Sequence, residues 1–332
     1  MKMREAQKPE PGAGQVLIKI EYCGVCGSDV HYYEFGRVAD YIVEGDFVLG
    51  HEGAGTVTEI GADVKNLKVG DRVALEPGYT CGKCEFCKSG RYNLCPDVIF
   101  FATPPVQGVL QEYVVHPADM CFKLPEHVST KAGALAEPLA VGMHAARLGE
   151  VRLGDSCIIL GAGCIGLMTL LAAKASGAGN IMVVDLYDNR LKLAHEFGAT
   201  HVVNALNEDV DSLVETFYGG AGADIVFETA GSVKTIRNTP HYVKRGGTVV
   251  LVGMAAESEF SYDFGAVMFK EITLKSIFRY RNLYPAAIAA IASGAIDVEK
   301  IISHEFDFTE CGNAFDTVIA QANDVTKAVI RF

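Results

Sequence analysis

"IILGAGCIG", residues 158–166, joins an apolar run to three glycines, Gly161, Gly163 and Gly166, at the start of a helix-like segment. The first glycine permits a tight turn, the second lets the backbone approach a pyrophosphate, and the third allows the helix to pack closely on the strand. The N–H groups at the helix start then face the phosphates. The stretch therefore predicts a strand, a glycine-rich turn and a helix that together bind a dinucleotide.

The next apolar run, IMVVD, ends in Asp185, which lies nineteen residues after Gly166. An acid at this position is expected to hold the ribose hydroxyls of a nicotinamide dinucleotide, and its charge would repel the 2'-phosphate of NADP. The sequence thus favours NAD as the cofactor. Arg190 is the nearest basic residue, and it either contacts the adenosine end of the cofactor or lies on a solvated helix face.

The patterns on the two sides of residue 155 differ. Before it, strand-like runs such as QVLIKIEY, GAGTVTEIG and LQEYVVH are separated by Gly and Pro, which indicates an irregular, largely β domain. After it, the runs CIIL, IMVVD, HVV, DIVFE and TVVLVG are interspersed with helical segments, which indicates a doubly wound parallel sheet. Beyond ITLKSIFRY come a helix, PAAIAAIASG, and the strand-like runs ISHEFDF and KAVIRF. The predicted fold class is α/β plus β.

Composition limits the classes of function. The chain has 332 residues, 49% of them hydrophobic and 21% charged, which suits about two globular domains. The net charge is -12 without a basic stripe, which argues against nucleic acid as a partner. Residues 156–173 carry no charge, but their glycines favour a buried strand, turn and helix over a membrane span. With ten cysteines and no signal-like segment, we expect a cytoplasmic protein whose clustered thiols bind metal.

Four cysteines, Cys81, Cys84, Cys87 and Cys95, lie within fifteen residues. Four thiolates complete the tetrahedral coordination of zinc and leave no open position, so this loop predicts a structural zinc site in a lobe spanning 81–95. Free thiols or a disulfide pair are the alternative, which the intracellular character of the chain disfavours.

The pair Cys23 and Cys26, in EYCGVCGSDVHYY, needs a separate interpretation. Strict alternation along the strand VLIKIEYC places Cys23 on the side of Lys19 and Glu21, away from the core. Cys26 precedes a short helix opened at residue 28 or 29, and a helix N-terminus favours the thiolate that a metal needs. We therefore predict that Cys26 is a metal ligand and that Cys23 is not.

The other ligands must come from elsewhere in the chain. VLGHEGAG places His51 beside Glu52 on a glycine-rich turn, and LAEPLAVG places Glu137 at a helix start. Taken singly, His51 is more often structural, and Glu137 is more often a helix cap. A catalytic zinc uses three protein ligands and leaves a fourth position for water or substrate, and together with Cys26 these residues would supply such a site.

The segment GHEGAGTVTEIG resembles the signature of the zinc-containing medium-chain dehydrogenases, and the similarity covers nearly the whole chain. CGVCGSDVHYYEFGR, GRYNLC, IFFATPP, EPLAVGMHA and SIFRYRN resemble the sorbitol/xylitol (polyol) dehydrogenase branch. The resemblance implies a GroES-like catalytic domain, residues 1–137 and 278–332, interrupted by a Rossmann NAD-binding domain, residues 138–277. It also implies an active site in the cleft between the domains and a homo-oligomer, a tetramer or a dimer.

The resemblance carries site residues over to matching positions. Cys26, His51 and Glu52 match the ligands of the catalytic zinc, and Glu137 matches the acid that touches the metal, its water or the substrate. The positions that match further substrate contacts are Tyr32, Arg279 and Tyr280. The positions that match cofactor contacts are the three glycines and Ile165, Asp185, Arg190, Val252, Gly253, Met254, Ile277 and Phe278.

The implied activity is reversible, NAD-linked oxidation of a polyol to a ketose, with two zinc ions per chain, one catalytic and one structural. The proton would leave through zinc-bound water, Ser28 or His31, although a helix cap and a surface imidazole explain these two residues as well. The first alternative is another substrate of the same family: threonine, a sugar acid or a simple alcohol. The second is a non-catalytic nucleotide- or zinc-binding protein, which the presence of the full ligand set disfavours.

Overall fold

The computed structural model describes residues 1–332, which divide into two compact units. One unit consists of Met1–Glu137 with Arg281–Phe332, and the other of Pro138–Tyr280. Each unit contains a main sheet with its own hydrophobic core. None of the helices combines the length and the apolar character that crossing a bilayer requires.

The strands in chain order are β1 (Gln15–Gly24), β2 (Arg37–Val38), β3 (Tyr41–Ile42), β4 (Glu52–Ile60), β5 (Arg72–Leu75), β6 (Gly78–Tyr79), β7 (Ile99–Phe100), β8 (Tyr113–Pro117), β9 (Cys121–Lys123), β10 (Ser156–Leu160), β11 (Asn180–Asp185), β12 (His201–Asn204), β13 (Ala223–Glu228), β14 (Val243–Leu251), β15 (Thr273–Ser276), β16 (His304–Asp307) and β17 (Ala328–Arg331). The α-helices are α1 (Gly27–Phe35), α2 (Glu85–Lys88), α3 (Thr130–Ala134), α4 (Ala136–Gly149), α5 (Cys164–Ala175), α6 (Asp188–Glu196), α7 (Val210–Phe217), α8 (Val233–Tyr242), α9 (Phe264–Lys270), α10 (Tyr284–Ala292) and α11 (Cys311–Ala320).

The main sheet of the first unit has seven strands and is mostly antiparallel. The order is β16, β17, β1, β4, β5 and β9, with β8 also paired to β1. The inward side chains of β1 and β4, such as Ile18, Ile20 and Val57, form a continuous apolar core. The largely β domain predicted for the first part of the chain is confirmed.

The alternation predicted for β1 breaks at a bulge. Ile20 pairs with Gly55 of β4, whereas Tyr22 pairs with the adjacent Ala54, so β1 has one extra residue between these pairs. An extra residue reverses the face to which the following side chains point. Cys23 is therefore fully buried in the same core as Ile20, and the prediction that it points away from the core is wrong.

Two glycines of the GHEGAGTVTEIG segment are required by close backbone contacts. A Cβ at Gly55 would lie 2.0 Å from the carbonyl oxygen of Lys19, and a Cβ at Gly61 would lie 1.9 Å from that of Gly12. Only glycine fits at such distances. These contacts hold β4 closely against β1, and at the end of β1 Gly24 pairs with Glu52.

The second unit contains a six-stranded sheet in which all neighbouring strands are parallel. The strand order is β12, β11, β10, β13, β14 and β15. The order reverses at β10, because β11 and β12 lie on one side of it and β13 lies on the other. Ligands of such sheets bind beyond the carboxyl ends of the strands at this reversal. The predicted doubly wound parallel sheet is confirmed.

Candidate active site and metal centres

The four cysteines of the 81–95 lobe converge on one point, with all their sulfur atoms within 4.8 Å of one another. The Sγ–Sγ distances are 3.4 Å for Cys84 and Cys87, 3.6 Å for Cys81 and Cys95, and 3.9 Å for Cys81 and Cys87. Four sulfurs arranged as a tetrahedron about 2.3 Å from a zinc ion would be about 3.8 Å apart. The cluster therefore fits a zinc ion whose coordination is complete.

Local hydrogen bonds prepare two of these thiols for metal binding. The backbone N–H of Lys83 lowers the pKa of Cys81, and the hydroxyl of Thr80 lowers the pKa of Cys87 to about 7. Burial raises the pKa of Cys95 to about 11, so this thiol must release its proton when metal binds. Because zinc binds the thiolate, metal uptake by the lobe releases protons.

A second group of ligands comes from two segments that are distant in sequence. Cys26 is the N-cap of α1, Glu52 is the first residue of β4, and His51 immediately precedes it. The ligand atoms of these three residues lie within 4.8 Å of one another. A thiolate, an imidazole and a carboxylate form a three-ligand set that leaves a fourth zinc position open. The helix was expected to open at residue 28 or 29, but it begins at Gly27.

Asp29, which the sequence analysis did not single out as a site residue, connects the two segments. Its buried carboxylate accepts hydrogen bonds from the backbone N–H groups of Cys26, at 3.2 Å, and Gly50, at 2.9 Å. Its Oδ2 lies 3.6 Å from Nδ1 of His51. Burial by itself raises the pKa of Asp29, but His51 and the two N–H groups outweigh burial and hold that pKa below its usual value. An anion in this position orients the imidazole and strengthens it as a ligand.

The carboxylate of Glu52 forms an ion pair with Lys327, a buried lysine near the end of the chain. Nζ of Lys327 donates to Oε1 of Glu52 at 2.6 Å and to the carbonyl oxygen of Val25 at 2.9 Å. Nζ also lies 2.5 Å from Oε2, so the lysine forms an ion pair with both oxygens of a carboxylate that belongs to the three-ligand group. A Cβ at Gly24 would lie 1.9 Å from Oε2, so glycine is required beside this pair. No pattern around Lys327 in the sequence marks it as a site residue.

The other site residues predicted in this unit lie outside the three-ligand group. Glu137 is buried in the first turn of α4. On α1, Ser28 is half-buried, His31 is exposed, and Tyr32 is buried with its ring against Phe47. The predicted roles of these residues in proton transfer and substrate binding stay predictions.

In the second unit the three glycines form the expected turn. Gly161 has a φ of 106°, and Gly163 is the N-cap of α5. A Cβ at Gly166 would lie 1.9 Å from the carbonyl oxygen of Gly161, so the helix packs directly on the turn. The N–H groups of the first turn of α5 are thus presented at the carboxyl edge of the sheet, where an anion binds well.

Asp185, the last residue of β11, accepts hydrogen bonds from the backbone of this turn and of the segment that follows β11. Its Oδ2 accepts a hydrogen bond from the N–H of Ala162 at 2.6 Å, and its Oδ1 accepts from the N–H groups of Leu186 and Tyr187 at 2.7 and 3.0 Å. A carboxylate offers about four acceptor sites, so one is left for a ribose hydroxyl.

A cavity of about 690 Å³ lies beside the turn and is lined in part by Gly161, Gly163, Asp185 and Arg190. The guanidinium carbon of Arg190 lies 5.1 Å from the centre of the Tyr187 ring. Both charged residues predicted for the adenosine end of the cofactor therefore line one cavity.

Glu228 is a buried acid at the end of β13 that no sequence pattern predicted as a site residue, and it holds a loop of which Thr229, Ala230 and Thr235 line the same cavity. Its Oε1 accepts hydrogen bonds from the N–H groups of Ala230 and Gly231 and from the hydroxyl of Thr235. A Cβ at Gly161 would lie 2.9 Å from the N atom of Ala230, so this loop packs against the glycine turn. Burial raises the pKa of Glu228. The signal in the sequence was an acid at the end of the apolar run DIVFE.

The remaining predicted cofactor residues follow other strand ends. Ile165 lies in the first turn of α5. Val252, Gly253 and Met254 follow β14, and Ile277 and Phe278 follow β15. Because the strands are parallel, these positions share the sheet edge that carries the glycine turn. Their individual contacts with a cofactor stay predictions.

Arg279 and Tyr280 come immediately after these positions. Arg279 has a φ of 56°, and its guanidinium carbon lies 4.7 Å from the centre of the Phe278 ring. Tyr280 is buried.

Matches to two family models agree with this fold and with these candidate sites. Residues 12–126 match the alcohol dehydrogenase GroES-like domain, and residues 164–293 match the zinc-binding dehydrogenase family. A dinucleotide turn, a closed thiolate cluster and an open three-ligand set define a zinc-dependent dehydrogenase.

Individual proteins extend the comparison over the whole chain. The chain is 40% identical over 330 residues to sorbitol dehydrogenase of Bacillus subtilis (strain 168), covering 99% of this chain and 94% of that protein. It is 41% identical over 325 residues to L-idonate 5-dehydrogenase of Vitis vinifera, covering 96% and 88%. The crystal structure of an Escherichia coli oxidoreductase/dehydrogenase of unknown specificity matches with a TM-score of 0.95 and 45% identity, covering 98% and 94%.

The chain therefore belongs to the zinc-containing medium-chain dehydrogenases, in the branch that includes the polyol dehydrogenases. The predicted family, the GroES-like and Rossmann fold classes, and zinc and NAD as cofactors are confirmed.

Proposed function

We propose that this dehydrogenase catalyses the reversible oxidation of a secondary alcohol in a polyol such as sorbitol or xylitol. The products are a ketose, NADH and one proton. The open group formed by Cys26, His51 and Glu52 carries the proposal for the reaction type. Similarity to a sorbitol dehydrogenase along 99% of the chain supports the polyol as the substrate.

The residues of the open group have separate tasks in this reaction. Zinc, when bound, supplies the Lewis acidity that favours loss of the hydroxyl proton, while NAD accepts the hydride. Cys26, His51 and Glu52 would hold the metal and leave one position for the substrate hydroxyl. Asp29 fixes the orientation of His51, and Lys327 balances the charge of Glu52.

The proton released from the alcohol needs a path to solvent. Ser28 and His31 are three residues apart on α1 and so lie on one face of the helix. Ser28 is half-buried and His31 is exposed, which suits a path from the site to water. Glu137, buried in the first turn of α4, would contact the metal-bound water or the substrate.

Arg279, Tyr280 and Tyr32 would bind the other hydroxyls of the polyol. The guanidinium of Arg279 offers five fixed N–H donors and can span neighbouring hydroxyls. Arg279→Met should therefore lower kcat/KM for sorbitol much more than for a simple secondary alcohol such as 2-propanol. Equal losses for the two substrates would show that Arg279 serves the cofactor or the fold.

The choice of NAD would depend on Asp185, and Asp185→Asn is the appropriate test. Asparagine keeps one oxygen, which can accept from Leu186 and Tyr187 as Oδ1 does, but it removes the charge and the acceptor for Ala162. We expect the preference for NAD over NADP to narrow by roughly tenfold, because a nearby charge contributes about 1–4 kcal/mol at protein surfaces. An unchanged ratio of the two kcat/KM values would refute the assignment.

A sugar acid is the second candidate substrate. Its support is the 41% identity to L-idonate 5-dehydrogenase together with Arg279, whose guanidinium can bind a carboxylate with two parallel hydrogen bonds. Steady-state rates with NAD and sorbitol, xylitol, L-idonate, threonine and 2,3-butanediol would separate the candidates. The polyol proposal fails if sorbitol and xylitol are both oxidised no faster than 2,3-butanediol.

A further inference from the structure

The end of β10 lies between the ends of β11 and β13 in the parallel sheet. One residue beyond the paired positions, Gly161 follows β10 and has Asp185, which ends β11, on one side and Thr229, which follows β13, on the other. The strand order reverses at β10, and such sheets bind ligands beyond the carboxyl ends of the strands at the reversal. Side chains on both sides of Gly161 can therefore act on the turn that faces the cofactor.

The peptide group between Gly161 and Ala162 is bound from both sides. The hydroxyl of Thr229 donates to the carbonyl oxygen of Gly161 at 3.0 Å. The N–H of Ala162 donates to Oδ2 of Asp185 at 2.6 Å. Because a peptide group is planar, its carbonyl and its N–H turn together. A contact on the carbonyl oxygen therefore also fixes the direction in which the N–H points.

The glycine at position 161 makes such a contact important. Gly161 has a φ of 106°, and glycine restricts the rotation of the adjoining peptide group less than any other residue does. The Thr229 hydroxyl is packed closely on the turn, because a Cβ at Gly161 would lie 3.0 Å from its Oγ1 and a Cβ at Gly166 would lie 2.9 Å from it. The hydroxyl thus restricts a turn whose own residues leave it flexible.

The position of Thr229 is fixed by its own surroundings. Its backbone N–H donates to the carbonyl oxygen of Leu160 at 2.9 Å. The preceding residue, Glu228, accepts hydrogen bonds from the N–H groups of Ala230 and Gly231 at 3.1 and 3.0 Å through its buried carboxylate. The backbone on both sides of Thr229 is therefore held, and the fold sets the direction of the hydroxyl.

We propose that Thr229 is a positioning residue of the NAD site. Its hydroxyl fixes the peptide group between Gly161 and Ala162, and through the Ala162 N–H it fixes the carboxylate of Asp185. Oδ1 of Asp185 is bound by the N–H groups that follow β11, so the contact with Ala162 completes the orientation of the carboxylate toward the ribose hydroxyls. The consequence for the choice between NAD and NADP rests on the proposed role of Asp185.

The decisive variant is Thr229→Val, which keeps the size of the side chain and removes the hydroxyl. We expect the Kd of NADH to rise by roughly tenfold, as for the loss of one buried hydrogen bond. The Kd of NADPH should rise by less, because its 2'-phosphate prevents the contact between the ribose and Asp185. The fluorescence of the bound reduced nicotinamide gives both Kd values without any alcohol substrate. Thr229→Ser keeps the hydroxyl and should bind both cofactors as the wild type does.

The matched control is Thr239→Val in α8 of the same unit. Thr239 is fully buried, and its hydroxyl lies 2.8 Å from the carbonyl oxygen of Ile236 and 2.9 Å from the hydroxyl of Tyr262. This variant should lower the melting temperature at least as much as Thr229→Val does, and it should leave both Kd values unchanged. If Thr229→Val does not fold, Thr229→Ala removes the hydroxyl without placing a methyl group against the carbonyl oxygens, and the same changes in Kd are expected.

A double-mutant cycle with Asp185→Asn tests whether the effect passes through Asp185. Asparagine removes the acceptor for the Ala162 N–H, so Thr229→Val should change the ratio of the two Kd values much less in that background. Where Asp185→Asn alone narrows the preference for NADH, three results would overturn the proposal: unchanged Kd values in Thr229→Val, equal weakening of NADH and NADPH, or the same change of the ratio in both backgrounds.

Hydrogen exchange separates failure of this inference from failure of the proposed role of Asp185. The Ala162 amide should exchange faster in Thr229→Val than in the wild type, and Thr239→Val should leave it unchanged. If Asp185→Asn alone does not alter the preference for NADH but the Ala162 amide responds to Thr229→Val, Thr229 positions the turn and only the role of Asp185 is wrong. If the amide does not respond, the positioning role of Thr229 is wrong whichever cofactor the enzyme prefers.

Discussion

The two metal centres of the first unit are built in opposite ways. The lobe draws all four ligands from fifteen consecutive residues, and three of its cysteines are only half-buried. The open site combines Cys26 with His51 and Glu52, and it depends on Asp29 and on Lys327 from near the end of the chain. His51 and Glu52 are buried.

The buried carboxyl groups near the two centres also differ. Burial raises the pKa of Glu76, beneath the lobe, to about 7, and the hydroxyl of Tyr92 offsets only part of that effect. Asp29 is also buried, but His51 and two backbone N–H groups hold its pKa below the usual value. The closed centre takes supporting hydrogen bonds from Lys83 and Thr80, which are close in sequence to its ligands, whereas Glu52 of the open centre pairs with the distant Lys327.

The largest effect should come from removing a ligand of the open centre. Cys26→Ser should lose one of two zinc ions and lower turnover by roughly a thousandfold, since Lewis-acid stabilisation contributes several kcal/mol to the transition state. Cys23→Ser should keep both metals and most of its activity but melt at a lower temperature, because it places a hydroxyl in the core. Metal analysis, steady-state kinetics and thermal melting of the two variants test the contrast. Loss of zinc in Cys23→Ser would contradict it.

Removing a ligand of the closed centre should mainly affect stability. Cys84→Ser leaves three thiolates, so we expect loss of the other zinc ion and a marked fall in the melting temperature, since structural zinc sites contribute on the order of 10 kcal/mol in small domains. The remaining zinc should stay bound, and the kcat for 2-propanol should stay close to that of the wild type. If Cys84→Ser abolished turnover of every substrate, the division into a structural and a catalytic centre would be wrong.

A smaller effect should follow from removing the cation beside Glu52. Lys327→Met leaves a buried carboxylate without its partner, which typically costs about 3–5 kcal/mol. Zinc would replace the missing positive charge, so zinc should raise the melting temperature of metal-free Lys327→Met more than that of the metal-free wild type. Lys131→Met is the control, because Lys131 pairs with Glu305 in a half-exposed position where such pairs contribute little. Equal responses of both variants to zinc would contradict the role of Lys327.

The smallest effect concerns pH and the acid beneath the lobe. The pKa of Glu76 is raised to about 7 in the folded protein, so the folded state binds the proton more tightly than the unfolded state. Its contribution to stability is therefore full below about pH 4.5 and falls, by about 3 kcal/mol at most, as pH rises to 7.

Glu76→Gln should remove this dependence. The variant should gain stability relative to the wild type as pH rises from 5 to 8, as measured by the difference in melting temperature. Burial also lowers the pKa of His116 to about 4, which gives the opposite trend, with stability rising between pH 4 and 6.5. Because His116 is present in both proteins, its effect cancels in the comparison. A constant difference across pH would show that Glu76 does not titrate in this range.

Features that depend on short stretches could be predicted from the sequence. The glycine turn, Asp185, the alternation of strands and helices and the four-cysteine cluster all agree with the structure. The grouping of Cys26 with His51 and Glu52 was also expected, but here the family resemblance added the decisive information. The position of Cys23 was predicted wrongly because a bulge depends on the partner strand, which the sequence of β1 does not reveal.

The sequence by itself determined the dinucleotide turn and the closed zinc lobe, because in each the interacting groups are separated by a few residues and their spacing sets the geometry. Only the tertiary structure decided that Lys327 pairs with Glu52, that Tyr92 holds Asn282 and that Cys23 lies in the core. Each of these contacts joins residues that only strand pairing or the return of the chain brings together. The residues around a lysine or a tyrosine do not reveal a partner that is distant in sequence. The contact forms because the fold buries both groups next to each other, and a buried polar group needs a partner.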